Sequence, residues 1–127
     1  MEDYMNYTVC VVEDKRVSRT MTLEMLKKMG LNKIVASTNG QIALEKLKTQ
    51  KADLIISDWH MPVMEGLEFY KAVKKEETLK DIPFLMVTVE DSKEKVIEAM
   101  KLGIRDYIVK PLQKSSFEAK VKTLLKI

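Results

Sequence analysis

Five polar residues of this chain stand at or just behind the ends of short apolar runs. Glu13 and Asp14 follow "TVCVV", Asp58 follows "ADLIIS", Thr88 lies late in "PFLMVTV", and Lys110 ends "DYIVK". Asp58, within "ISDWHMP", is the most telling of them. A carboxylate where a buried strand stops is solvated, paired or holding a cation, because burying it alone is expensive. Three carboxylates brought together would push one toward protonation at neutral pH unless a cation intervenes. Oxygen-only donors at an open, wet edge suit Mg²⁺, which keeps several waters and uses one or two carboxylates. A metal, a lysine and a hydroxyl around one carboxylate are the parts required to transfer a phosphoryl group onto it. On this reading Asp58 is a nucleophile exposed at a strand end.

That chemistry needs elements that bring the five residues together. The apolar runs are "TVCVV" (8–12), "KIVAS" (33–37), "ADLIIS" (52–57), "PFLMVTV" (83–89) and "DYIVK" (106–110). Three are rich in Val, Ile and Leu without strict alternation, as in parallel strands covered on both faces. Segments with helical spacing separate them. The first has Val17, Met21, Met25 and Leu26 and stops at Gly30, a helix C-cap. The second, after "TNG", has Ala43, Leu44 and Leu47. The third follows Gly66 with Phe69, Tyr70 and Val73, and the fourth carries Val96, Ile97 and Met100 before Gly103. The fifth has Phe117, Val121, Leu124 and Leu125, with Ser115 and Glu118 as a capping box.

The expected fold is therefore α/β, a (βα)5 doubly wound, five-stranded parallel sheet with helices on both faces. All five polar residues then fall at the carboxyl edge of the sheet. For the common strand order 2-1-3-4-5, ligands bind there between strands 1 and 3, where the order reverses. Taken singly, an acid at such a junction is more often a helix cap or a solvated loop residue. Their joint placement is what argues for a site. Trp59 and Met61 read as packing residues and Pro62 as a stiffener of the loop. His60 has no second histidine beside it, which argues against side-chain metal ligation.

Composition bounds the remainder. The 127 residues fit one domain, 1–127, with a short N-terminal extension over 1–6. With 22 basic and 19 acidic residues spread along the chain, the net charge of +3 argues for neither nucleic acid nor membrane as a partner. The single cysteine, Cys10, lies among valines and reads as a core residue in a reducing compartment. "MEDYMNY" is no signal peptide, and no apolar run approaches a bilayer span, so a cytoplasmic location is expected. There is no internal repeat or linker, and "KKEETLKD" (74–81) reads as a helix end and solvated loop.

The residues resemble the receiver domain of two-component response regulators, and in detail its CheY-like single-domain chemotaxis regulators. The resemblance rests on "VVEDKRVSR", "DWHMPVMEGLEF", "LMVTVED" and "GIRDYIVKP", and covers essentially the whole chain. It implies a flavodoxin-like fold and a signalling phosphoacceptor that assists only its own phosphorylation and dephosphorylation. Asp58 would accept phosphate from a histidine kinase. Asp14, Asp58 and the backbone carbonyl of His60 would hold Mg²⁺, with Glu13 acting through water and Mn²⁺ able to substitute. Lys110 would pair with Asp58 and later with the phosphoryl group, and the Lys110–Pro111 peptide would be cis. Thr88 would bond the phosphoryl oxygen while Tyr107 turns inward, biasing the face of the fourth helix, fifth strand and fifth helix toward a partner. That partner would be a downstream target such as a flagellar switch component, with a phosphatase as a further partner and the chain itself a monomer.

Two positions depart from the family pattern. Glu13 replaces the commoner aspartate of the acidic pair, and the residue after the switch threonine, usually small, is Val89. With His60 and Glu90, Val89 would rim the path of the water that hydrolyses the acyl phosphate and so tune its lifetime. Within the family, a phosphorelay intermediate or a receiver cut from a longer regulator is the alternative to a chemotaxis protein. An aspartyl-phosphate hydrolase of the haloacid dehalogenase type would need an aspartate two residues after Asp58, where His60 stands. A flavodoxin-like FMN binder would need a phosphate loop after the first strand, where "EDKRVSR" begins with two acids.

Overall fold

The structure is a computed structural model and is described here for residues 6–127. Strands and helices alternate along the chain: β1 (Thr8–Val12), α1 (Arg16–Lys28), β2 (Lys33–Ser37), α2 (Gly40–Leu47), β3 (Leu54–Ser57), α3 (Gly66–Lys75), β4 (Phe84–Thr88), α4 (Lys93–Lys101), β5 (Asp106–Val109) and α5 (Lys114–Leu125). The strands form one parallel sheet in the order β2-β1-β3-β4-β5. This is the expected architecture and order.

Because successive side chains of a strand point to opposite faces, each strand feeds two cores. Cys10, Val12, Ile55 and Met86 pack with Ala43 and Leu47 of α2, Phe69 and Val73 of α3 and Ala99 of α4. Val9, Val11, Ile56, Leu85 and Val87 pack with Leu26 of α1 and with Phe117, Val121 and Leu125 of α5. The central strands are thus buried on both sides, which is why their sequences lack alternation.

Gly30 and Gly103 end α1 and α4 in the same way. Both have left-handed backbones, with φ of 92° and 114°. Gly30 N–H donates to the carbonyl of Lys27 at 2.9 Å and Leu31 N–H to that of Leu26 at 3.0 Å, closing a Schellman motif. Gly103 and Ile104 repeat the pattern on Met100 and Ala99. The buried Leu31 and Ile104 then lock the chain onto the core as it turns toward the next strand.

Three local expectations are corrected. In α1, Val17 and Met21 are 74% and 50% exposed, and the buried positions are Thr22 and Leu26. In α4, Ile97 and Met100 are exposed while Ala99 is buried. Both helices carry apolar residues on two faces, and the face that meets the sheet uses the smaller Thr22 and Ala99, which allow close approach. The Ser115–Glu118 capping box is absent. The N-cap of α5 is Gln113, whose carbonyl accepts from Phe117 N–H at 2.9 Å, so Ser115 already lies within the first turn.

Candidate functional site

The loops leaving β1 and β3 meet at the carboxyl edge of the sheet, one on either side of the strand-order reversal. Pairing of Val12 with Ser57 fixes their register, and Asp58 N–H donates to the carbonyl of Val12 at 3.0 Å. Glu13, Asp14 and Asp58 consequently offer carboxylate oxygens that lie within 4.8 Å of one another. Arg19, one turn into α1, clamps the acidic loop by donating from Nη1 to the carbonyls of Glu13 at 2.9 Å and Asp14 at 3.4 Å.

Asp58 is not exposed as expected. It is 6% accessible, and Glu13 is 4% accessible. The carboxylate is covered because donors close over it: Trp59 N–H reaches Oδ1 at 2.6 Å and Lys110 Nζ reaches Oδ2 at 3.2 Å. Burial alone would raise the Asp58 pKa, but the Thr88 hydroxyl, the Lys110 charge and the Trp59 N–H outweigh it and hold the carboxyl below its ordinary value. Glu13 moves the other way. Burial raises its pKa, and the opposing hydrogen bond from Lys110 does not fully offset it.

Lys110 binds Glu13 more closely than Asp58, at 2.6 Å from Nζ to Oε1. Its third contact, Ser18 Oγ at 2.6 Å, was not anticipated from the sequence. Ser18 stands four residues after Asp14, one turn along α1, and that spacing is the only signal by which it could have been found. Arg19 was missed for the same reason. The Lys110–Pro111 peptide is cis.

Across the mouth of the site, His60 Nε2 lies 2.8 Å from Glu90 Oε1 and joins the loop after β3 to the loop after β4. Glu90 also organises the start of α4, its Oε2 accepting from Ser92 N–H at 3.2 Å. Tyr107 is already turned inward: its hydroxyl donates to the Glu90 carbonyl at 2.7 Å, and its ring meets Trp59 edge-on at 6.4 Å. The Thr88 side chain is fully buried, with Oγ1 accepting from Glu90 N–H at 3.3 Å. Val89 is 66% exposed and lines, with Val17, Ser18, Met21, Lys110 and Leu112, a largely apolar groove of about 440 Å³. Trp59 and Met61 are buried packing residues, as expected.

The donor set fits a small hard cation. Asp14 Oδ1 is buried with no hydrogen-bond partner among the described residues, a condition shared only with Ser37 Oγ. A buried carboxylate oxygen left without a donor is costly, and a cation relieves that cost while offsetting the repulsion within the cluster.

Comparison with known proteins agrees with this arrangement. Residues 9–122 match the response regulator receiver domain. The chain is 34% identical over 116 residues to chemotaxis protein CheY-3 of Vibrio cholerae, covering 91% of this chain and 89% of that one. It is 31% identical over 116 residues to chemotaxis protein CheY of Pseudomonas aeruginosa, covering 91% and 94%. Among solved structures, the chemotaxis protein CheY4 of Vibrio cholerae superposes with a TM-score of 0.84 at 34% identity, covering 93% of this chain and 98% of that one. A putative response regulator from Chloroflexus aurantiacus gives a TM-score of 0.88 at 25% identity, covering 95% and 98%. A carboxyl-edge cluster of this composition, on this sheet and with these relatives, makes the chain a member of the response regulator receiver domain family, of the CheY-like kind.

Proposed function

We propose that Asp58 is the phosphoacceptor of a two-component signalling step, taking the phosphoryl group from a phosphohistidine of a histidine kinase. In that step the P–N bond breaks, the imidazole leaves with the electron pair, and a P–O bond forms to an Asp58 carboxylate oxygen. The observation that carries the reading is one ammonium, Lys110 Nζ, shared between Asp58 and Glu13 beside an Asp14 oxygen with no hydrogen-bond partner among the described residues. A lowered pKa keeps Asp58 ionised and nucleophilic at neutral pH. Lys110 stands where negative charge would develop on the transferred group.

Asp14 and Asp58 would hold Mg²⁺, with Mn²⁺ as a substitute, and the carbonyl of His60 would join them. When bound, such an ion neutralises charge on the phosphoryl oxygens. Both oxygens of Glu13 are already engaged, Oε1 by Lys110 and Oε2 by Lys15 N–H at 3.1 Å, which supports a role for Glu13 through water. The apolar groove along α1 would offer the donor a surface next to Lys110, which lines it and contacts Asp58.

Output would follow from Thr88 and Tyr107. Thr88 would exchange its contact with the Glu90 N–H for the phosphoryl oxygen, and the loop carrying Glu90 would shift with Tyr107 bonded to it. That loop leads into α4, so the face formed by α4, β5 and α5 would change toward a downstream target. The relatives' names place them in chemotaxis, and we assign this chain to the same kind of pathway, with a flagellar switch component as its target.

The test is incubation with a small phosphodonor and Mg²⁺. One labile phosphate per chain, released by base and by hydroxylamine as an acyl phosphate is, is expected in the parent and none in Asp58→Asn. Retained label in that variant, or sustained turnover of the donor by the parent, would count against the assignment.

A further inference from the structure

Lys110 is held by more than the two carboxylates that its role as a counter-charge requires. An ammonium has three N–H donors, and all three are used here: Glu13 Oε1 at 2.6 Å, Ser18 Oγ at 2.6 Å and Asp58 Oδ2 at 3.2 Å. The hydroxyl is as close as the nearer carboxylate, and the bond to the acceptor is the longest. Ser18 is itself well fixed. It lies in the first turns of α1, where Arg19 N–H donates to the Lys15 carbonyl at 2.9 Å and Thr22 Oγ1 to the Ser18 carbonyl at 3.2 Å. The groove that Lys110 helps to line is otherwise largely apolar, with Val17, Met21, Val89 and Leu112, of which only Met21 carries even a weak acceptor. Among the described residues, Ser18 is the one neutral side chain that Lys110 Nζ contacts.

We propose that Ser18 is a positioning residue for phosphoryl transfer, its hydroxyl being the third anchor that holds Lys110 Nζ at its distance from Asp58. The proposal rests on the reading of Asp58 as phosphoacceptor. With the hydroxyl in place, the ammonium is drawn toward α1 and leaves Asp58 Oδ2 only loosely paired, free to attack phosphorus. Without it, the ammonium has only the two carboxylates to bind and settles between them. Asp58 is then more tightly paired, a poorer nucleophile, and Lys110 is displaced from where the incoming phosphoryl oxygens need it. A hydrogen bond to a charged group lost from such a site corresponds to a rate reduction of about 10-fold or more.

The discriminating comparison is Ser18→Thr against Ser18→Val, which are nearly the same size and differ in the hydroxyl. The direct readout is the ¹⁵N–¹H signal of the Lys110 ammonium, visible when its protons are held by fixed partners. Parent and Ser18→Thr are expected to show it and Ser18→Val to lose or shift it. Initial phosphoryl uptake from a small phosphodonor at saturating Mg²⁺ should fall about 10-fold or more in Ser18→Val and recover in Ser18→Thr. Mg²⁺ affinity, followed by Trp59 fluorescence, and the melting temperature should be alike in the two variants. An absent Lys110 signal in the parent, an identical signal in the two variants, or equal uptake rates would each overturn the proposal. If the signal depends on the hydroxyl but the parent takes up no phosphate, the anchoring stands and the phosphoacceptor reading fails instead.

Discussion

Gly66→Ala should drive a methyl group into the backbone that carries Asp58, the proposed phosphoacceptor. A Cβ on residue 66 would lie 2.1 Å from the carbonyl oxygen of Asp58, 2.8 Å from Trp59 Cα and 3.0 Å from the carbonyl carbon of Asp58. The closest of these falls about 1.3 Å short of the 3.4 Å at which ordinary contact begins. All three are main-chain atoms, so no side chain can rotate away. Gly66 N–H also donates to the Trp59 carbonyl at 2.7 Å, tying the start of α3 to the same peptide. Relief requires the Asp58–Trp59 peptide or the whole first turn of α3 to move, and either disturbs the 2.6 Å bond from Trp59 N–H to Asp58 Oδ1. Overpacking of this kind costs about 1–3 kcal/mol. For a chain of this length that is a fall in melting temperature of about 4–11 °C. If Asp58 is the phosphoacceptor as proposed, displacing its carboxylate by about 1 Å should slow phosphoryl uptake by up to about 100-fold. Gly103→Ala is the control. Its φ of +114° and a Cβ contact of 2.6 Å with the Tyr70 hydroxyl also destabilise the fold, but it lies before β5 at the opposite edge of the sheet. Thermal melts and uptake assays well below the transition separate the two. Parent-like uptake by Gly66→Ala, or an equal loss in Gly103→Ala, would refute the reasoning that Gly66 acts through the acceptor backbone.

Thr88→Ala should still accept phosphate yet bind its output partner about 10- to 150-fold more weakly, since a charge-assisted bond contributes about 1.5–3 kcal/mol to the switch. Full affinity of the phosphorylated variant, measured by titration with the partner, would place the switch elsewhere. Val89→Ala removes two stiff methyl groups from the rim of the groove. Phosphorylation by small donors and hydrolysis of the acyl phosphate should both quicken several-fold, and unchanged rates would mean that Val89 does not gate access. Burial pushes the Cys10 thiol up to about 12, so it should resist thiol reagents at pH 8 in the native protein and react on unfolding. Rapid labelling of the folded chain would contradict its fully buried position.

The fold and most of the site were legible because their signals are local. A run such as "ADLIIS" is too short for a buried helix and rich in branched residues, which favours a covered strand, and a glycine after a helical stretch marks where a left-handed turn is tolerated, as at Gly30 and Gly103. Once the elements alternate β and α, handedness and strand order leave one edge for Glu13, Asp14, Asp58, Thr88 and Lys110. What the sequence left undecided concerns directions around a helix axis and distances between loops. Val17 and Met21 look like core residues by size, but which face of α1 meets the sheet is settled by how closely the two can approach, and that face uses Thr22 and Leu26.

The same holds at the site. The residue types at one sheet edge suffice to suggest a cation, because like charges that the topology brings together favour a counter-charge. The partition of one ammonium among Glu13, Ser18 and Asp58, the burial of Asp58, and the bridge from His60 to Glu90 belong to the tertiary structure. Residues 18 and 110, or 60 and 90, are joined by no periodicity in the chain. Only the packing of α1 against the sheet and the closure of two loops over one edge bring them within hydrogen-bond reach.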